Sequence, residues 1–325
     1  MRRAIVSTKG VVTRPTDDAS LVEAMKATEK VLWLDLSSPT PDDLKLLLDG
    51  FGFHPLSVED LSQTHTAAKL DEYDHYVFQV VMVPFQQGTD EIDLFEVEIF
   101  YLKGTLVTVH DRPWRPLDEL WEAVGRDPAR ELGKGAQVLY HNLVDRAVDA
   151  YFPILDTIDE RVEGLERQVF DAGTRGDILP AIFRLRRSVR QLLRSARNQR
   201  ESVQRLAVGT VRSLTKETCY QFRDVHDHLI QLHDSLDDHR ETLSGLRDTY
   251  LGVVNNRMSE VMKSLTVFSA ILLPLAFLTG LWGMNVGVPW EGDPKGFLYV
   301  LGFCGLSTVG ALHWMWRKGY LKRIQ

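Results

Sequence analysis

The chain has 325 residues, too long for one small core, so about two domains are expected. It is 44% hydrophobic and 26% charged, a globular average, and its formal net charge of -7 argues against a nucleic-acid binder. Two cysteines, Cys219 and Cys304, make neither a metal-ligand spacing nor a disulfide framework, which suits a reducing interior. The apolar start of the chain breaks at Ser7-Thr8-Lys9-Gly10, too early for a signal peptide, so the N-terminal region is expected in the cytoplasm.

Residues 31–36 read as a strand, and 41–50 as a helix with proline in its first turn. Residues 76–85 and 91–110 are rich in β-branched and aromatic side chains, and the second stretch contains a hairpin turning at Lys103-Gly104. The region up to about residue 127 therefore reads as an α/β domain with a mixed sheet. From Leu139 strand signals vanish, and Leu143, Ala147, Tyr151, Ile154, Ile158, Val162 and Leu165 follow a helical period. After a break at 172–176, a second helix from Ile178 to about Leu206 carries Arg184, Arg186, Arg187, Arg190, Arg194, Arg197 and Arg200. The preceding arm carries Asp156, Asp159, Glu160, Glu163 and Glu166; a solvated face paired with acidic neighbours is the plain reading of the arginines.

A third helix is predicted from about Glu217 to Met284. At about 68 residues it would be about 100 Å long, which no monomer buries, so packing on copies of itself is expected. Residues 264–290 contain no charged side chain, and a second uncharged run, 296–316, is closed by Arg317, Lys318, Lys322 and Arg323. The 264–284 stretch would span about 31 Å as a helix, matching the hydrocarbon core of a bilayer. Basic residues flank the spans on one side, while the connecting loop holds only Glu291, Asp293 and Lys295, which predicts both chain ends in the cytoplasm.

On the long helix, Asp248, Asn255, Met262, Ser269 and Ala276 recur every seven residues, with Leu265, Leu273 and Gly280 on the same stripe. Such a stripe suits a cation conduit with apolar gates around a symmetry axis, and suits ordinary coiled-coil packing equally well. Asn285 favours the conduit. Its uncharged amide, repeated around a pore mouth, would hydrogen-bond the waters of a hydrated cation, which fits Mg2+ because that ion sheds water reluctantly. His226, His228, His233 and His239 lie along the upper part of the helix. His226 and His233 share a face, so an interprotomer zinc site is conceivable; solvated or interhelical histidines are the plainer reading. No nucleophile elbow, phosphate loop or HExxH is present, so an enzyme is not expected.

Gly283-Met284-Asn285 at the end of the first of two C-terminal spans resembles the signature of the CorA family of divalent-cation channels. The resemblance extends through residues 274–280, His54-Pro55-Leu56-Ser57-Val58-Glu59-Asp60, Tyr76-Val77-Phe78 and Phe222-Arg223-Asp224-Val225-His226-Asp227-His228, covering essentially the whole chain. It implies an α+β fold built as a cytoplasmic α/β domain (1–135), antiparallel helical arms (136–212), a stalk helix with the first transmembrane helix (213–285), an extracytoplasmic loop (286–295) with Glu291 and Asp293, a second transmembrane helix (296–316) and a basic tail (317–325). It further implies a funnel-shaped homopentamer in the inner (plasma) membrane with lipid its only other partner. Gly283, Met284 and Asn285 would form the selectivity filter. The stripe from Asp248 to Gly280 would form the pore and gate. Glu59, Asp60, Asp145 and Asp224 match the acids that bind regulatory Mg2+ between protomers. The implied function is uptake of Mg2+, and of Co2+ and Ni2+, closed by cytoplasmic Mg2+. Two features point elsewhere: Trp282 stands where the family usually has Tyr, and Asn-Val-Gly-Val-Pro after the signature is reminiscent of the zinc-moving ZntB branch. Ala276 also replaces a residue often polar in magnesium-type pores. A Zn2+ transporter of the same architecture is the second expectation, and a non-conducting, membrane-anchored coiled-coil scaffold the third.

Overall fold

The structure is a computed structural model that describes residues 1–8, 11–27, 29–63, 67–88, 91–171, 178–284, 287–290 and 293–318. The strands are β1 (Arg2–Thr8), β2 (Val11–Thr13), β3 (Lys30–Ser37), β4 (Lys69–Glu72), β5 (Val77–Gln87), β6 (Glu91–Leu102) and β7 (Thr105–His110). They form one seven-stranded sheet in the order β2-β1-β3-β7-β6-β5-β4. Only β3 and β7 run parallel; the other neighbours are antiparallel. The β6–β7 hairpin turns at Gly104, whose φ is +78° and where a Cβ would lie 2.7 Å from the Lys30 carbonyl oxygen. Conformation and space both demand glycine there.

The helices are α1 (Asp18–Lys26), α2 (Pro41–Lys45), α3 (Pro55–Glu59), α4 (Arg115–Arg126), α5 (Pro128–Leu132), α6 (Ala136–Asp149), α7 (Phe152–Phe170), α8 (Ile178–Val208), α9 (Lys216–Trp282) and α10 (Gly296–Arg317). On one face of the sheet Ile5, Trp33, Val97, Ile99 and Leu106 share a core with α4, α6, α8 and the start of α9. On the other, Leu32, Leu34, Val80, Phe100 and Val107 share a core with Leu21, Leu46, Leu47, Phe53 and Val58. Because both faces are covered, β7 is buried at every residue, and its neighbour β3 reads as a nearly continuous apolar run from Val31 to Leu36.

One acid interrupts that run. Asp35 on β3 is buried and accepts hydrogen bonds from Arg3 Nε (2.7 Å) and from the Thr108 hydroxyl. His110 Nε2 stands 3.5 Å from its carboxylate, an ion-pair separation rather than a hydrogen bond. Arg3 also reaches Asp118 at 2.7 Å and lies over the Trp121 ring. Burial pushes the Asp35 pKa up, but His110, Thr108 and Arg3 outweigh it and hold it below the usual carboxylate value. Removing one partner of such a buried set costs about 3–5 kcal/mol, because the remaining charge is left unpaired.

The structure redraws some predicted boundaries. The helical period read from Leu139 through Leu165 is divided into α6 and α7 at Ala150 and Tyr151. Pro153, in the first turn of α7, has no N–H with which to continue the ladder of α6. The helix predicted over 41–50 is α-helical only to Lys45; Leu46–Gly50 form a π-helical turn closed by Phe51 N–H donating to the Leu46 carbonyl at 3.1 Å. The third helix, α9, runs unbroken through Pro274.

Two units are distinguished, Met1–Arg247 and Asp248–Gln325. The second contains the apolar stretch of α9 and all of α10, and both helices are long and apolar enough to cross a membrane. Beyond α9, Trp282 Nε1 donates to the Pro289 carbonyl at 3.2 Å, and the Trp282 and Trp290 rings stack at 6.0 Å, nearly coplanar in tilt at 3°. Gly296 opens α10 because a Cβ there would lie 2.6 Å from the Trp290 carbonyl oxygen.

Candidate metal centre

On α6, Asp145 and Asp149 are four residues apart and so share a helix face. On α9, Asp224 and His228 have the same spacing. The two helices are held in register by aromatic packing: Tyr140 and His141 on α6 meet the buried Phe222 of α9 edge-on at 5.4 and 5.3 Å. This contact brings Asp145, Asp149 and His228 together, with one ligand atom from each within 4.8 Å of the others. Among the described residues it is the one group of three or more side chains that could hold a metal ion.

The electrostatics of the cluster favour a cation. Burial raises the Asp145 pKa, and the negative charge of Asp149 raises it further; His141 and His228 act in the opposite direction, and Asp224 adds to the rise. Carboxylates held this close repel, and a divalent ion relieves the repulsion. His228 Nδ1 is buried and has no hydrogen-bond partner, so its ring nitrogen is available to a ligand. Its ring is fixed edge-on by Phe152 at 5.9 Å. Carboxylate oxygens suit Mg2+, and the added imidazole widens the fit to Co2+, Ni2+ and Zn2+.

Of the four acids expected to bind regulatory metal, Asp145 lies in this cluster and Asp224 lies near enough to perturb it. Glu59 and Asp60 are not members. Asp60, just after α3, forms an ion pair with Lys69, raising the lysine pKa against the effect of burial, and Glu59 accepts from Gln63 Nε2 at 3.5 Å. Asp149 was absent from the expected set and His228 was set aside among the stalk histidines. The signal for both was the paired four-residue spacing, Asp145/Asp149 and Asp224/His228. The other stalk histidines turn to acids: His226 to Asp227 at 3.7 Å, His233 to Asp234 at 3.6 Å and His239 to Asp159 of α7 at 3.4 Å.

The pore-stripe residues Asp248, Asn255, Met262, Leu265, Ser269, Leu273, Ala276 and Gly280 all lie on α9, and all are exposed in the single chain. At about 100° per residue they fall within about 100° of the helix circumference. Gly283 and Met284 follow the end of α9. Gly283 N–H donates to the Thr279 carbonyl at 3.0 Å, and a Cβ there would lie 3.2 Å from the same oxygen. Asn285 and Glu291 lie outside the described residues. Asp293 accepts from the Lys295 backbone N–H at 2.9 Å, a local turn contact.

A family model described as CorA-like Mg2+ transporter protein matches residues 28–319. YfjQ of Bacillus subtilis is 33% identical over 292 residues, 89% of each chain. The cobalt/magnesium transport protein CorA of Thermotoga maritima is 29% identical over 309 residues, 94% of this chain and 88% of that one. Among solved structures, the CorA magnesium transporter of Methanocaldococcus jannaschii aligns with a TM-score of 0.83 at 20% identity, covering 99% of both chains, which is a likeness of fold.

Proposed function

The chain belongs to the CorA-like Mg2+ transporter family, and on that premise we propose that it is a divalent-cation channel, passing Mg2+ and also Co2+ and Ni2+ into the cell. In this reading the protein is a homopentamer in the inner (plasma) membrane, with both chain ends in the cytoplasm. The α9 stripe from Asp248 to Gly280 lines the conduit, and Gly283, Met284 and Asn285 select a hydrated ion at its outer mouth.

The observation that carries the reading is that one helix, α9, holds both His228 of the metal cluster and the apolar stretch able to cross a membrane. A cation bound by Asp145, Asp149 and His228 ties α6 to α9. Glu59, Asp60 and Asp224 extend the acidic set between neighbouring protomers. With the ion bound, carboxylate repulsion is neutralised and the closed ring is favoured; when cytoplasmic Mg2+ falls, repulsion loosens the helices and the pore opens. The ion acts by binding one state better than the other.

The imidazole in the cluster keeps a second reading in play, a Zn2+ transporter on the same architecture. A competition flux assay on reconstituted vesicles separates them. Mg2+ uptake driven by an inside-negative potential, with Zn2+ a weak competitor, is the expected result. Zn2+ flux that requires a proton gradient, with no Mg2+ flux, would overturn the first reading in favour of the second. Vesicles impermeable to every divalent ion would leave only the scaffold.

A further inference from the structure

α7 and α8 carry two rows of opposite charge with the same spacing. Asp156, Asp159, Glu163 and Glu166 follow steps of three, four and three residues along α7, and all are exposed. Arg187, Arg190, Arg194 and Arg197 repeat those steps along α8 and are exposed as well. At about 100° per residue each row is confined to a stripe of about 80° and rises about 15 Å. The apolar sides of the two helices, Ile158, Val162 and Leu165 on α7 and Ile182, Leu185 and Val189 on α8, are buried, which leaves the charged rows facing outward.

Within the described residues most members of both rows lack an ion-pair partner. Among the described residues Asp159 meets His239, while the other three acids and all four arginines make no ion pair. Like charges three and four residues apart on a helix repel one another. Each row therefore weakens its own helix until an opposite charge arrives, and the two rows match in sign, length and step.

We propose that the acidic row of α7 in one copy docks against the arginine row of α8 in the next. The contact joins two different patches, so it is head-to-tail, the kind that closes into a ring. The inference rests on the homo-oligomeric reading above and goes beyond it by assigning which surfaces meet. An anionic lipid surface would attract the arginines but repel the acids beside them, so it accounts for one row and not for the match between them.

Cysteines at facing positions test the contact. In the full-length protein in detergent, with Cys304→Ser as background, Glu163→Cys combined with Arg190→Cys is expected to give a ladder of disulfide-linked oligomers on mild oxidation. Each single substitution should give none. In parallel, native mass spectrometry after dilution follows assembly. Arg187→Glu/Arg190→Glu/Arg194→Glu is expected to raise the dissociated fraction about tenfold, and so is Asp156→Arg/Glu163→Arg/Glu166→Arg. Combining the two sets should bring it back to within about threefold of the natural protein. An intact oligomer with no ladder and no effect of either reversal overturns the docking while the oligomeric reading stands. A natural protein that is monomeric throughout overturns the oligomeric reading itself. Loss of binding to phosphatidylglycerol vesicles on arginine reversal, with no ladder in the cysteine variant, overturns the docking in favour of a lipid-facing row.

Discussion

The units Met1–Arg247 and Asp248–Gln325 dispose of their apolar side chains in opposite ways. In the first, Trp33, Phe78, Phe100, Tyr140 and Phe222 are fully buried, and Phe53 stacks on Phe100 with centroids 4.3 Å apart. In the second, Leu273 is 75% exposed and Phe297 74%, with Phe268, Phe277 and Trp314 close behind. The first unit builds two cores on its own sheet. The second has the composition of a core and no interior of its own in one chain. In the function proposed above, hydrocarbon and other copies complete that apolar surface, and helix association there rests on packing rather than on escape from water.

The largest expected effect tests this contrast directly. Phe78→Ala in the first unit should cost about 3–5 kcal/mol, the transfer loss plus a cavity. Phe268→Ala, 62% exposed in the second, should cost under about 1 kcal/mol. Thermal unfolding of the detergent-solubilised protein measures both. A Phe268 variant as damaged as the Phe78 variant would show that its side chain is packed against another copy, and would remove the distinction between the units.

A smaller effect comes from a strand acid of the first unit that is buried with no basic partner among the described residues. Glu98 on β6 lies between Val80 and Val109, is 4% exposed, and its pKa is pushed up to about 8 by burial and then by the nearby charges of Glu96 and Asp111. A folded-state pKa above the unfolded one means that stability is fully present below the ordinary glutamate range and is lost as pH rises towards 8. Glu98→Gln should remove that slope and stabilise the protein at pH 8.5 by on the order of 3 kcal/mol relative to its effect at pH 4.5. Unfolding curves at the two pH values that shift equally for variant and natural protein would contradict the assignment. The contrast with Asp35, also buried yet lowered in pKa by His110, Thr108 and Arg3, locates the cause in the partners rather than in burial.

Smaller still is the expected response to cation, which belongs to the first unit. Mg2+ or Co2+ at about one hundred times its Kd should raise stability by about 2.7 kcal/mol, seen as an upward shift in Tm. Asp145→Ala should abolish the shift. Because the Asp145 pKa is raised, protons compete with the metal at a higher pH than for an ordinary aspartate, so the shift should shrink as pH falls. An undiminished shift in the Asp145 variant would place the stabilising ion elsewhere.

Much of this was legible in the residues. The β6–β7 hairpin was visible from Lys103-Gly104 between two β-branched runs, and the turn does need glycine. The two long apolar helices were visible as uncharged runs, and α9 was visible as a period that nothing interrupted except Pro274. The split between α6 and α7 was harder to see, because Pro153 sits where the apolar period continues across it. One of the three members of the candidate metal cluster was visible. Asp145 and Asp224 drew attention through their resemblance to a family pattern. Asp149 and His228 did not, because spacing along a helix identifies a face but does not say what that face meets.

What the sequence determined alone was therefore local: which stretches are helix or strand, where the chain turns, and which segments are too apolar for water. These follow from side-chain period, turn chemistry and length, each confined to a short window. Tertiary structure alone decided that α6 and α9 pack through Tyr140, His141 and Phe222 so that Asp145, Asp149 and His228 converge, and that within one chain Asp60 lies apart from them, ion-paired with Lys69. The physical reason is that a metal site needs ligand atoms within a few ångströms of one another, and residues about eighty positions apart are brought that close only by the packing of the core between them.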